Sequence, residues 1–137
     1  MVLHRASSPE VRAAVVELVR GRLGCGCPDE VFDDIEWLEA EDVLLGVPGA
    51  RLAFVTGRRL LVLVFDPRGL EEHMAGLVSA ASSFVRARGL NRARLVVVLE
   101  DADSADRLRR AFDLTSPPED FFWHRLSAGE LPEALTR

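Results

Sequence analysis

Residues 59–99 read RLLVLVFDPRGLEEHMAGLVSAASSFVRARGLNRARLVVVL, and this stretch decides the fold. Leu60 to Phe65 is an unbroken apolar run, so as a strand it is apolar on both faces and belongs at the centre of a sheet. Leu70 to Arg88 places Leu70, Met74, Leu77, Val78, Ala81 and Val85 at three- and four-residue steps, the pattern of an amphipathic helix, and Gly89 ends it. Its other small residues, Ala75, Gly76, Ser79, Ala80, Ser82 and Ser83, would permit close approach of another element. Arg94 to Leu99 is a second continuous apolar strand. Strand, helix and strand of these lengths predict a parallel pair joined by a right-handed crossover.

Upstream, Ser7-Ser8-Pro9-Glu10 opens a first helix with a serine cap and proline at the first helical position. Val11, Ala14, Val15, Leu18, Val19 and Leu23 supply its apolar stripe, with Gly21 and Gly24 as stopping points. Pro28 begins a short second helix through Glu36 that buries Val31, Phe32 and Ile35. Trp37–Leu45, Arg51–Thr56 and Arg59–Phe65 read as an antiparallel meander, broken at Gly46-Val47-Pro48-Gly49 and at Gly57-Arg58. Downstream, Ser104 to Phe112 forms a third main helix with Ala105, Leu108, Ala111 and Phe112 inward. Phe121–Leu126 follows the Pro117-Pro118 break as an edge strand, with a turn around Leu131–Leu135. The expected fold is α/β with an α+β-like entry. It is a mixed sheet of about five strands in the order α-α-β-β-β-α-β-α-β, with helices packed on it, over residues 1–137 as a single domain.

Composition narrows the function classes. The chain has 137 residues, 48% hydrophobic and 28% charged, which is ordinary for one globular domain. A net charge of -5 argues against a general nucleic-acid binder, whose affinity comes from neutralising phosphates. There is no lysine, so Schiff-base lysines, lysine general bases and phosphate-loop lysines are excluded. No stretch is long and apolar enough to span a bilayer, and the N-terminus has no secretory pattern. The expectation is therefore a cytoplasmic protein with reduced thiols.

The run of helix, three strands, helix and strand resembles the core order of restriction-endonuclease-like nucleases. Those enzymes hold Mg²⁺ with an acid on the second strand and an acid-x-lysine pair on the third. Here Arg51–Thr56 contains no acid, Arg59–Phe65 has none before Asp66, and lysine is absent. The resemblance is one of arrangement and implies at most a non-catalytic relative.

Cys25-Gly26-Cys27-Pro28 is the sharpest chemical feature. With proline at the first helical position, Cys27 becomes the cap residue, where the helix amides and dipole favour a thiolate. Asp29 and Glu30 oppose that charge from the same turn. Two thiolates one residue apart can clip zinc or another thiophilic metal. Zinc takes four ligands, and His4, His73 and His124 are remote in sequence, so a homodimer would have to complete the set. The same pair can instead exchange a disulfide, whose very short loop would be strained and easily reduced. The plain alternative is that one or both cysteines are small, partly buried apolar residues joining two helices.

Two further readings compete. Asp66, Glu100, Asp101 and Asp103 follow the central strands and could hold Mg²⁺ in an enzyme, although Asp101, Asp103 and Ser104 also make a good helix start. Charge is segregated: Asp29, Glu30, Asp33, Asp34, Glu36, Glu39, Glu41 and Asp42 contain no basic residue between them, and Arg86, Arg88, Arg92 and Arg94 no acid. An acidic face of that kind, with Phe121-Phe122-Trp123-His124, would suit a non-enzymatic protein-protein interaction domain meeting a protein partner. No nucleophile elbow or catalytic histidine spacing is present, so no catalytic residue is assigned. The reading carried forward is a small accessory protein that binds a thiophilic metal or performs thiol redox chemistry through Cys25 and Cys27.

Overall fold

The computed structural model describes residues 8–24, 26–39, 47 and 49–135. These form a mixed sheet of five strands in sequence order: β1 (Ile35–Trp37), β2 (Ala50–Thr56), β3 (Leu60–Phe65), β4 (Arg92–Val98) and β5 (Phe121–Leu126). β1, β2 and β3 pair antiparallel, while β3, β4 and β5 pair parallel. The parallel central pair and the edge position of β5 are those expected from the sequence. All six residues of β3 are buried, because layers of helix cover both faces of the sheet.

One layer consists of α2 (Leu70–Arg88) and α3 (Ala102–Leu114), packed on Leu61, Leu63, Phe65, Leu95 and Val97. Gly89 closes α2 in the left-handed conformation, as its position after the last periodic residue implies. The small residues of α2 divide: Ala75, Gly76, Ser79 and Ser83 are exposed, while Ala80 packs against the core and Ser82 is half-buried. α3 starts two residues earlier than expected, since Asp101 rather than Ser104 caps it, accepting from the Ser104 amide at 3.1 Å.

The other layer is α1 (Pro9–Val16), which continues as a π-helical turn over Glu17–Arg22, together with short 3-10 turns near the C-terminus. Ser8 caps α1 through the Val11 amide at 3.2 Å, and Pro9 takes the first helical position. Val15, Leu18 and Val19 meet Phe54, Val62, Val64 and Val96 on this face.

The second helix is shorter than the sequence suggests. A 3-10 helix covers only Asp29–Asp33, Asp34 is extended, and Ile35 and Glu36 belong to β1. The cause is tertiary. Thr56 donates from Oγ1 to the Val31 carbonyl at 2.7 Å, and the Gly57 amide donates to the Asp34 carbonyl at 2.8 Å. Those carbonyls are drawn to the β2–β3 hairpin instead of continuing a helix. Three residues, Gly57, Arg58 and Arg59, join the paired Thr56 and Leu60; Gly57 and Arg58 both have positive φ, 63 and 57, in a turn closed by the Arg59 amide donating to the Thr56 carbonyl at 3.2 Å. Of the expected strand Trp37–Leu45, only Trp37 is in β1; residues 40–46 lie outside the described set.

Candidate functional site

Residues 24, 26 and 27 belong to no helix or strand, and Pro28 joins the 3-10 helix only through its carbonyl, which accepts from the Val31 amide at 3.1 Å, so this backbone needs other partners. Arginines do this. Arg20, on the π-helical turn, donates from Nε at 2.9 Å and from Nη2 at 2.6 Å to the Cys27 carbonyl. The same guanidinium pairs with Asp29 at 2.8 Å and lies 5.3 Å from the centre of the Phe32 ring. Arg94, on β4, donates to the Leu23 carbonyl at 3.1 Å, and Arg12, on α1, donates to the Asp29 carbonyl at 3.3 Å. Three guanidinium groups, from the first helical segment and β4, thus fix the ends of the Cys-x-Cys-Pro loop.

Cys27 is half-buried against the α1 side of the core and is disulfide-bonded. The chain has one other cysteine, Cys25, which lies outside the described residues. Cys27 is not the helix cap expected from the sequence. Pro28 occupies the cap position of the 3-10 helix, with no side-chain cap bond, so the dipole argument for its thiolate does not apply. The positive charge nearby comes instead from side chains.

Beside Cys27 opens a cleft of about 270 Å³, lined by Pro28, Arg59, Asn91 and Arg92 as well as Cys27 itself. It sits where β3 and β4 begin. The amides of Asn91 and Arg92 both donate to the Arg59 carbonyl, at 2.7 and 3.1 Å, which locks the two strand starts together. Arg59 and Arg92 are exposed, and neither has an ion-pair partner among the described residues.

Arg94 extends this basic group into the protein. It is only 7% exposed, its Nη1 lies 2.8 Å from Nε2 of His124, and its guanidinium stacks 5.0 Å from the centre of the Phe122 ring. Its Nε is buried without a hydrogen-bond partner. Burial first, then the neighbouring Arg92, pushes its pKa below the ordinary value. Guanidinium can only donate, so Nε2 of His124 must accept and the ring proton sits on Nδ1. Burial and the Arg94 charge hold the His124 pKa down to about 4.

The carboxylates considered for Mg²⁺ have other commitments. Asp66 pairs with Arg51 at 3.4 Å, Glu100 accepts from the Ala128 amide at 2.7 Å, and Asp101 caps α3. Hydrogen bonds from Ser104 lower the Asp101 pKa, the behaviour of a cap carboxylate. Among the described residues, no group of three or more His, Cys, Asp or Glu could hold a metal ion. His73 is exposed on α2, and His4 lies outside the described residues.

Four of the eight acids of the run are paired within the chain. Asp29, Asp33, Asp34 and Glu36 pair with Arg20, Arg12, Arg58 and Arg88, at 2.8, 3.1, 2.8 and 2.6 Å. Glu41 and Asp42 lie outside the described residues. In the aromatic segment, Phe121 and Trp123 pack on Phe112, while Phe122 stays 38% exposed beside Arg94. Sequence reasoning places Arg92 and Arg94 in a basic run and misses their part in the cysteine site. The available signal is an arginine at an inward position of an otherwise apolar strand. Among the described residues, no helix is long and apolar enough to cross a membrane. Comparison of the chain with family models, with curated proteins and with solved structures finds no match.

Proposed function

We propose that this protein is a small thiol–disulfide redox protein in which Cys25 and Cys27 cycle between disulfide and dithiol. The observation that carries the reading is that Cys27 is disulfide-bonded at the edge of an open cleft. Its loop is held through carbonyls by Arg20 and Arg94, so the chain on either side can stay in place while the sulfur bond opens. Arg59 and Arg92 add positive charge near the sulfur, which favours the thiolate formed on reduction. Asp29 and Glu30 oppose it from the adjoining turn, and of the two the Asp29 charge is paired with Arg20. A thiophilic metal such as zinc is the second chemistry this pair admits, and it requires the reduced form.

Counting thiols and metal in untagged protein prepared without air tests both. The redox reading expects no reactive thiol in the oxidised protein, two after reduction, and one with no disulfide in Cys27→Ser. Stoichiometric zinc in the reduced protein, lost in Cys27→Ser, would replace it with a metal carrier or sensor. Two slowly reacting thiols that never form a disulfide, with no metal, would sink both and leave a protein-interaction domain.

A further inference from the structure

The cleft beside Cys27 has a composition of its own. Arg59 and Arg92 line it together with Asn91, and no carboxylate does among the described residues. Both arginines are exposed and have no ion-pair partner among the described residues, whereas Arg12, Arg20, Arg58 and Arg88 are each matched to an acid. In a chain carrying a net charge of -5, a cleft lined by two arginines and, among the described residues, no carboxylate is a local reversal of sign. Its volume of about 270 Å³ is at the small end for ligand sites and suits a molecule of a few carbons. Backbone bonds from Asn91 and Arg92 to Arg59 fix the strand starts that carry both cations.

We propose that this cleft selects small anionic thiols, those bearing a carboxylate or similar acid group, as reductants of the Cys27 disulfide. The inference rests on the redox reading above and names its substrate class. The acid group sits between Arg59 and Arg92, which brings the substrate sulfur to Cys27. A substrate thiolate attacks one sulfur of the disulfide. The protein S–S bond breaks, a mixed disulfide forms, and the other protein sulfur leaves as thiolate and takes a proton from water. A second substrate thiolate attacks the substrate sulfur of the mixed disulfide, releasing the small-molecule disulfide and the second protein thiolate, which also takes a proton from water to complete the dithiol. Two thiols thereby supply the two electrons.

The test uses the oxidised full-length protein with 3-mercaptopropionate, 2-mercaptoethanol and cysteamine, which are anionic, neutral and cationic. Rates of disulfide opening are expressed per thiolate, and each anion-to-cation ratio is compared between wild type and variant, which cancels intrinsic thiol reactivity. The wild-type ratio should exceed that of Arg59→Gln/Arg92→Gln by about tenfold at low salt. The difference should shrink near about 1 M salt, where screening acts within about 3 Å. Arg109→Gln, on α3, should keep the wild-type ratio. Equal ratios in wild type and double variant overturn the anion selection while leaving the redox function standing. Failure of every thiol to open the disulfide overturns both.

Discussion

His124 offers a quantitative test of the buried Arg94 cluster. Its ring accepts from Arg94 at 2.8 Å, so protonating Nε2 would set an N–H against a guanidinium inside the protein. Burial and that guanidinium hold its pKa to about 4, against an ordinary value of 6.5. Unfolded chain therefore binds this proton more readily than folded chain. The contribution is complete above the unfolded value of 6.5 and is lost as pH falls from there towards 4. A fully enclosed ring with that difference would account for about 3.4 kcal/mol. The His124 ring is only partly buried, and solvent screening reduces the expectation to about 1.5 kcal/mol. The experiment is urea unfolding of wild type and His124→Gln at a series of pH values from about 7 to about 4. Glutamine can still accept from Arg94 but does not titrate. Wild type should lose about 1.5 kcal/mol more than the variant over that range, since carboxylates common to both cancel. Parallel stability curves would refute the buried contact between Arg94 and a neutral His124 ring.

Three other substitutions probe the frame around the site. Gly57→Ala should lower stability by about 2 kcal/mol or more, because φ is positive and the added Cβ would lie 2.8 Å from Val31 Cγ1; an unchanged thermal midpoint would contradict the hairpin packing. Arg20→Gln should cost about 2 kcal/mol in chemical denaturation by removing the charged fork on the Cys27 carbonyl, and a neutral result would mean the loop is held by other contacts. Leu95→Ala, at a fully buried position on β4, should cost about 3 kcal/mol by opening a cavity under α2 and α3; a loss below about 1 kcal/mol would place it outside the core.

The sequence determined the central half of the molecule. An apolar run at Leu60–Phe65, a helical period from Leu70 to Val85 and a second apolar run up to Leu99 each point to one local structure. Glycine at 89 and proline at 9 mark boundaries by their own backbone constraints, independent of any neighbour. Cys25 and Cys27 are likewise visible as a chemical pair, because their spacing is local. Residues 28–37 are not legible in the same way. Whether Ile35 and Glu36 turn in a helix or extend as β1 depends on where the Val31 and Asp34 carbonyls find donors, and those lie on a hairpin more than twenty residues away. The pairing of the acidic run is hidden for the same reason. Arg12, Arg20, Arg58 and Arg88 meet Asp33, Asp29, Asp34 and Glu36 only once the chain has folded. Only the tertiary structure set Arg59, Asn91 and Arg92 beside Cys27, since parallel pairing of β3 with β4 gathers strand starts that lie some thirty residues apart in the chain. Local stereochemistry is encoded residue by residue; the company a functional group keeps is fixed by strand pairing, which acts across the whole fold.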